Sequence, residues 1–336
     1  MKARINSIEY FLPVNKLTNE QLEKEGVYTA DKIFDKTGIS ERRIASDEQT
    51  SSDLAYNAAE KLFKDNDIDK DSVDMLLFCT QSPDYFLPTS ACILQDRLGL
   101  PTTIGALDYN LGCSGYIYGL HMAKAYIESG LAQRVLLLTG ETYSKSINPK
   151  DKSNRTIFGD AGTATLIEGI ESNEELIKGF VLGTDGRGKD NLIIPDGGFR
   201  NRYSDESEKE HEDSAGNIRS DADLFMDGSK IFTFTIRVVP SIVNRCLEKN
   251  NLKADDIDYF LMHQANKFII DYLSKKMKLP ESKVLLNLKY VGNTVSNTIP
   301  LLLKMKMDEG ILKRGMTLMT IGFGVGYSYG ANIIKL

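Results

Sequence analysis

The segment IDKDSVDMLLFCT at Ile68–Thr80 recurs further along the chain as LKADDIDYFLMHQ at Leu252–Gln264. Both copies have the pattern of a helix end, an acidic turn, a Val-Asp or Ile-Asp step and a buried strand. The offset of 184 residues sets Cys79 opposite His263. A period this long excludes a solenoid and indicates that a large unit has been duplicated.

A second pair of segments supports the duplication. A helix that follows Gly112-Cys113 ends in ESGLAQRVLLLTGE, and a helix that follows Gly292-Asn293 ends in DEGILKRGMTLMTIG. The two matches occur in the same order at nearly the same offset. They predict an N-terminal half at 1–172 and a C-terminal half at 173–336, each rich in βαβ units.

Apolar runs typical of buried strands alternate with helical segments in both halves. Strands are predicted at Met75–Cys79, Arg134–Thr139, Ile257–Met262 and Met316–Ile321, and helices at Ser52–Lys64, Ser114–Ser129, Lys230–Asn250 and Ser296–Asp308. This alternation predicts an α/β fold with largely parallel, buried sheets.

The composition restricts the possible functions. The chain has 336 residues, 41% of them hydrophobic, and a net charge of −6, which argues against a nucleic-acid or anionic-membrane surface. We expect no membrane span and no secretory signal, since there is neither a long apolar run nor an apolar N-terminal segment. The spacing of the four cysteines matches no zinc or CxxC pattern, so we expect reduced thiols and a cytoplasmic location.

A polar stretch, Gly197–Asp223, lies between the matching segments of the two halves and has almost no apolar content. It is predicted to be a solvated loop or a partly disordered insertion. His211 lies inside it and is interpreted as an exposed loop residue.

Cys113 lies between a predicted strand with a glycine turn and a predicted helix. The positive end of a helix lowers a thiol pKa and favours the nucleophilic thiolate. The alternative is a small cysteine that fills a strand–helix corner. Gly112 and Gly115 favour a functional role, because glycines permit close approach of a ligand or another backbone.

His263 follows a predicted strand, and Asn293 precedes an apolar helix. Taken alone, each also fits a structural role, as a core histidine and an N-cap turn respectively. His121, on the helix after Cys113, is interpreted as structural. Two duplicated halves tend to pack about a pseudo-twofold axis, so equivalent strand ends can bring Cys113, His263 and Asn293 together.

A nucleophile and two neutral hydrogen-bond donors suit acyl transfer to sulfur. The closing segment TIGFGVGYSYGANI adds a glycine-rich turn. The backbone N–H groups of Val325 and Cys113 are predicted to form an oxyanion hole. The turn also fits a plain structural β-turn.

Motifs along the whole chain carry a specific resemblance. They are KTGISERRIA (36–45), PTSACILQDRLG (88–99), GCSGY, RTIFGDAGTA (155–164), HQAN (263–266), GNT (292–294) and FGVGYSYG. On these motifs the chain resembles the β-ketoacyl-acyl-carrier-protein synthase III family of thiolase-like condensing enzymes. The resemblance implies a five-layered αβαβα fold and a homodimer.

The resemblance also implies a ping-pong mechanism. Cys113 would accept an acyl group from a thioester, in most such enzymes a coenzyme A thioester. A malonyl thioester on acyl carrier protein would then lose CO₂, and His263 and Asn293 would stabilise the resulting enolate. No metal and no redox cofactor are needed.

Substrate-binding roles are implied for Lys36, Arg155, Phe232, Ser229 and Leu87. Phe232 matches an aromatic residue of the pantetheine tunnel, and Leu87 matches a residue that reaches into the partner subunit's acyl pocket.

The chain departs from the family on its donor-binding face. It contains no tryptophan, and Lys32 stands where many relatives stack a tryptophan on adenine. Lys36 replaces an arginine, Ser229 an asparagine, Phe268 a basic residue and Val325 a glycine. These changes leave the donor open and suggest a specialised member that loads from a carrier protein or serves a secondary pathway.

Three other functions remain as alternatives. A non-decarboxylating acyltransferase of the same fold often carries Asp where this chain has Asn293. A silent partner subunit or carrier-binding module usually lacks the nucleophile. A cysteine protease also uses Cys, His and Asn, but the duplicated α/β pattern disfavours it.

Overall fold

A computed structural model describes residues 1–336. Its strands are β1 (Lys2–Phe11), β2 (Asn15–Thr18), β3 (Glu41–Ile44), β4 (Met75–Cys79), β5 (Gly105–Tyr109), β6 (Arg134–Glu141), β7 (Ala161–Ile170), β8 (Ile177–Thr184), β9 (Leu192–Ile193), β10 (His211–Glu212), β11 (Ile218–Arg219), β12 (Phe225–Met226), β13 (Tyr259–Met262), β14 (Thr317–Gly324) and β15 (Ser328–Lys335). Its helices are α1 (Asn19–Lys24), α2 (Ala30–Thr37), α3 (Ser51–Asp65), α4 (Ser90–Arg97), α5 (Gly115–Glu128), α6 (Gly228–Lys249), α7 (Lys267–Lys276) and α8 (Thr298–Asp308).

Two large sheets repeat one topology. The first has the order β1-β7-β6-β4-β5 and the second the order β8-β15-β14-β13. In each sheet two antiparallel pairings are followed by one parallel pairing, β6 with β4 and β14 with β13. A single parallel bridge between Phe260 and Val284 stands where β5 would have its counterpart. The internal duplication read from the sequence is therefore present in the strand order and direction.

The elements form the five-layered αβαβα arrangement. Helices α5 and α8 pack between the two sheets, α3 and α4 cover the outer face of the first sheet, and α6 and α7 cover the second. Strand β4 is buried on both faces, with Leu77 in the central core and Leu76 and Phe78 in the outer core. A continuous apolar strand is what such a doubly covered sheet requires.

The predicted strands and helices all occur. Strand β4 has the predicted bounds, and the bounds of the other predicted elements differ by at most a few residues. For example, β6 and β14 continue beyond their predicted ends to Glu141 and Gly324. The boundary predicted at 172/173 falls in the connection between β7 and β8, and each large sheet takes its strands from one side of it.

Side-chain caps fix the helix ends that lead to the site. The Asp227 carboxylate accepts the backbone N–H groups of Ser229 and Lys230 at the start of α6. The Asn266 side-chain oxygen accepts the N–H of Ile269 at the start of α7. Such caps satisfy N–H groups that a helix cannot pair internally, so both first turns are held in place.

The polar stretch Gly197–Asp223 is only partly what the sequence predicted. His211 is exposed, but it belongs to the hairpin of β10 and β11. Arg219 is buried and forms ion pairs with Asp151 at 3.2 Å and Asp213 at 2.9 Å. Most of the stretch is exposed, as a solvated loop would be. The prediction is wrong only for the buried residues around Arg219, because ion pairs hold them in place and leave no apolar signal in the sequence.

None of the eight helices has the length and apolar character needed to cross a membrane.

We expect Arg219→Ala to lower the free energy of unfolding by about 3 kcal/mol, because Asp151 would remain buried without its cation. The matched control is Lys209→Ala, whose pair with Glu206 is exposed, and it should change stability by less than about 0.5 kcal/mol. Urea unfolding measures both variants. Equal effects would contradict the anchoring role of Arg219.

Candidate active site

Cys113, His263 and Asn293 line one cavity of about 110 Å³. Cys113 lies just before α5, His263 follows β13, and Asn293 lies in the loop before α8. The two central helices and their sheets bring these three chain positions together from opposite halves. The cavity wall also contains Phe323 and Gly324 at the end of β14.

The Cys113 thiol is almost fully enclosed. Its residue is 5% exposed, and a Cβ placed on Gly324 would lie 2.8 Å from its Sγ. The backbone N–H groups of Cys113 and Val325 lie close to the sulfur and lower its pKa. One of these donors comes from each half of the chain.

Burial decides the charge of Cys113. The low-polarity surroundings, and then the charge of Glu141, raise the pKa of Cys113 from 9.0 to about 12. A helix N-terminus contributes ~1 kcal/mol in the opposite direction, which is less than one pKa unit. The prediction of a lowered pKa is therefore wrong, because the sequence shows the helix but not the burial.

The two glycines beside Cys113 serve packing within the protein. A Cβ on Gly112 would lie 2.4 Å from the side-chain oxygen of Gln81, and one on Gly115 would lie 2.3 Å from the Cys79 sulfur. As the sequence indicated, both positions require glycine because another group approaches the backbone closely. That group is a side chain of the protein itself and not a ligand.

His263 is buried and neutral. Its Nδ1 lies 2.7 Å from the Thr298 hydroxyl, and its ring meets the edge of Phe323 at 5.5 Å between centroids. Burial lowers the pKa of His263 to about 3. With Nδ1 engaged, the second ring nitrogen is left for a group in the cavity.

Asn293 is oriented by a strained turn. Its side-chain oxygen accepts the N–H of Val295 at 2.9 Å, which leaves its NH₂ group without a partner in the protein. Val295 has φ +56°, a left-handed conformation that costs a β-branched residue of order 1–3 kcal/mol. The Val295 carbonyl also accepts the Thr298 hydroxyl at 3.0 Å, so one turn orients both Asn293 and the partner of His263.

Glu141 links the two halves behind the cavity. The fully buried carboxylate accepts the N–H of Gln81 at 3.1 Å, the Ser82 hydroxyl at 3.2 Å and the Ser296 hydroxyl at 2.9 Å. Burial raises the pKa of Glu141 to about 8. The sequence analysis missed this residue, although an acid that directly follows a buried apolar strand was a usable signal.

Three predicted substrate-binding residues do not line the cavity. Lys36 is exposed at the end of α2. Arg155 is held by Glu25 at 2.6 Å and faces a different cavity of about 320 Å³. Ser229 donates its hydroxyl to Asp227 at the start of α6.

Phe232 and Leu87 lie outside the cavity wall as well. Phe232 is next to Ile231, which does line the cavity, and its ring packs against Tyr272 at 5.1 Å and Phe268 at 5.6 Å. Leu87 is 80% exposed. The single chain therefore does not show the pocket contact that the resemblance implies for Leu87.

The sequence analysis also missed most of the cavity wall, which is apolar. Its remaining members are Ile157, Phe158, Leu192, Met226, Gly228, Ile231, Thr235, Ala265, Asn266 and Ile269. These residues come from four separate segments, and no local pattern in the sequence marks them as neighbours.

Comparisons with known proteins agree with this geometry. A family model described as 3-oxoacyl-[acyl-carrier-protein] synthase III matches residues 107–186, and its C-terminal counterpart matches residues 247–336. The beta-ketoacyl-[acyl-carrier-protein] synthase III of Caldanaerobacter subterraneus subsp. tengcongensis is 37% identical over 326 residues, which cover 97% of this chain and 95% of that protein.

Two crystal structures have the same fold. A 3-oxoacyl-(acyl-carrier-protein) synthase III superposes with a TM-score of 0.99 at 49% identity and covers 100% of both chains. A 3-oxoacyl-(acyl-carrier protein) synthase from Burkholderia xenovorans LB400 has a TM-score of 0.90 at 38% identity, over 99% of this chain and 94% of that one.

We expect alkylation of Cys113 by iodoacetamide to accelerate about tenfold per pH unit from pH 7 to 10. The reason is that the thiolate is the reactive form and the pKa of Cys113 is raised to about 12. A Cys92→Ser background removes the exposed thiol that would otherwise react. Mass spectrometry follows the adduct, and a rate that levels off near pH 7 would show that the helix end outweighs burial.

Proposed function

The chain belongs to the β-ketoacyl-acyl-carrier-protein synthase III family, and from that premise we propose that Cys113 takes an acyl group from a thioester and transfers it to a decarboxylated malonyl group on acyl carrier protein. One observation carries the proposal. A nucleophile from one half and two neutral hydrogen-bonding side chains from the other line the same small cavity. That arrangement supplies both half-reactions of a ping-pong condensation.

In the first half-reaction the Cys113 sulfur attacks the thioester carbonyl. The carbonyl oxygen becomes negatively charged and is held by the N–H groups of Cys113 and Val325, which already face the sulfur. The carbon–sulfur bond of the donor then breaks, and the departing thiolate takes the proton that the Cys113 thiol gives up. Because the free thiol is neutral, proton transfer accompanies the attack.

In the second half-reaction the malonyl carboxylate leaves as CO₂, and its electron pair forms an enolate. The Asn293 NH₂ group and the second ring nitrogen of His263 stabilise the enolate oxygen. For this role the second ring nitrogen carries the proton, and the Thr298 hydroxyl turns from the Val295 carbonyl to donate to His263 Nδ1. The enolate carbon attacks the acyl carbonyl, the bond to Cys113 breaks, and the departing Cys113 thiolate takes a proton from water.

The geometry favours condensation over the alternative, a non-decarboxylating acyltransferase. Transfer to an alcohol or amine needs a base that removes a proton. The pKa of His263, lowered to about 3, makes it a weak base but leaves it a good neutral donor. The fixed orientation of the Asn293 amide serves an enolate oxygen in the same way.

We also propose a donor preference, an assembly and a location. Lys32 and Lys36 lie near the Tyr28 ring, at 4.5 and 5.9 Å from its centroid, and not in the cavity wall. This altered face is consistent with a specialised acyl donor. The donor is acyl-CoA or another acyl thioester, and the second substrate is carried by acyl carrier protein. No metal or redox cofactor enters either half-reaction.

Two exposed features support a homodimer. Strand β5 is the edge of its sheet, and Tyr85, Phe86 and Leu87 form an exposed apolar segment nearby in the chain. Pairing of two such edges would cover both. We propose that this dimer acts in the cytoplasm.

Intact-mass measurement tests the proposed function. Acetyl-CoA and acetyl acyl carrier protein are offered separately, and one of them should acetylate the wild-type chain but not Cys113→Ala. Addition of malonyl acyl carrier protein should then remove the acetyl group and yield a 3-oxoacyl product. Rapid, saturating acetylation by low acetyl-CoA would refute the specialised donor, and acetylation without CO₂ release would refute condensation.

Asn293→Ala should separate the two half-reactions. Acetylation of Cys113 should stay within about twofold, because Asn293 contacts only the enolate. Condensation should slow by roughly 10² to 10³, as loss of one such donor does. Radiolabelled CO₂ release and intact mass measure the two steps, and equal losses would show that Asn293 is structural.

A further inference from the structure

Thr235 presents an unpaired hydroxyl in the wall of the Cys113 cavity. The residue has no exposed surface, and its Oγ1 has no hydrogen-bond partner in the protein. It lies on α6, one and two turns beyond Ile231 and Gly228, which line the same cavity. A buried hydroxyl without a partner costs about 1–3 kcal/mol, so its persistence requires an explanation.

Comparison with a second threonine on α6, Thr233, shows what is unusual about Thr235. Thr233 donates its hydroxyl to the carbonyl of Ser229, four residues earlier, at 2.9 Å. This back-bond is the common solution for a threonine inside a helix. Thr235 does not make the corresponding bond to Ile231, so its hydroxyl stays unpaired in the cavity wall.

The surrounding wall is apolar. Ile231 and Ile269 lie on the two helices that flank this part of the cavity, and Phe323 lies beside His263. The polar side chains of Cys113, His263 and Asn293 are already assigned to the reacting atoms. For a polar group that a substrate carries elsewhere in this cavity, the wall offers two further polar side chains, Thr235 and Asn266, and the Asn266 oxygen already caps α7.

We propose that Thr235 binds a secondary amide in the arm that carries the reacting thioester. This inference rests on the proposed function, in which both substrates arrive on an arm with amide groups. An amide that enters an apolar cavity loses its bonds to water and requires a replacement. The Thr235 hydroxyl supplies one, since it donates to a carbonyl or accepts from an N–H. Thr235 is thereby a substrate-binding residue that favours amide-containing arms over plain alkyl thioesters.

The test compares two acetyl donors in the acylation half-reaction. S-acetyl pantetheine carries two amides, and S-hexyl thioacetate carries none. Thr235→Val keeps the shape and removes the hydroxyl, so kcat/KM for S-acetyl pantetheine should fall about five- to tenfold. The value for S-hexyl thioacetate should stay within about twofold. Thr235→Ser, which retains the hydroxyl, should restore most of the loss.

Two controls separate binding from folding. Thr233→Val removes a hydroxyl from the same helix outside the cavity and should leave both kcat/KM values unchanged. Thr235→Val should be at least as resistant to urea as the wild type, because no hydrogen bond within the protein is lost. A hydroxyl that served the fold would give the opposite result.

The outcomes are distinct. Equal losses with the two donors, or no loss with S-acetyl pantetheine, would overturn the role of Thr235 while leaving the proposed function intact. If neither acetyl-CoA nor acetyl acyl carrier protein acylates the wild-type chain, the proposed function fails and the inference with it. A loss confined to S-acetyl pantetheine supports the inference.

Discussion

The structure depends on the contact between the backbone of β14 and the turn that carries Cys113. A Cβ on Gly322 would lie 2.8 Å from Ser114 Cα, and one on Gly324 would lie 2.8 Å from the Cys113 sulfur. Only glycine permits this approach, so the contact fixes how closely the two halves can close. The hydroxyls of Ser114 and Ser328, 2.7 Å apart, reinforce it.

The same contact determines the chemistry. It encloses Cys113 so completely that ionisation becomes costly, and it brings the N–H of Val325 against the sulfur. On the other side of the pseudo-twofold axis, Thr139 donates to Asn297 at 2.6 Å and Ser296 to Glu141, so the loop with Asn293 is held against the first half. Neutral side chains and backbone N–H groups therefore stabilise the negative charge that develops on the substrate, because a buried cavity of this kind disfavours charged side chains.

Much of the fold was readable from the sequence, since it rests on local patterns. The repeat of a buried strand set Cys79 opposite His263, and the strand order of the two sheets has that symmetry. The element bounds followed apolar periodicity. The hairpin around Arg219 was not readable, because its stability comes from ion pairs between distant residues.

In the active site, the sequence identified only the reactive groups. Cys113, His263 and Asn293 stand at element ends in recognisable motifs, but their charge states depend on burial that no local pattern shows. Arg155 illustrates the limit, since its motif matched and its guanidinium is nevertheless bound by Glu25. Thr235 illustrates the converse, because nothing in its neighbourhood in the sequence distinguishes it from Thr233.

A crystal structure of the chain after acetylation tests the central claim most directly, which is that one oxyanion donor comes from each half. The account predicts an acetyl group on the Cys113 sulfur, with its carbonyl oxygen within about 3.1 Å of the backbone nitrogens of both Cys113 and Val325. A carbonyl oxygen that instead points at His263 and Asn293, or an acetyl group on another residue, would contradict it.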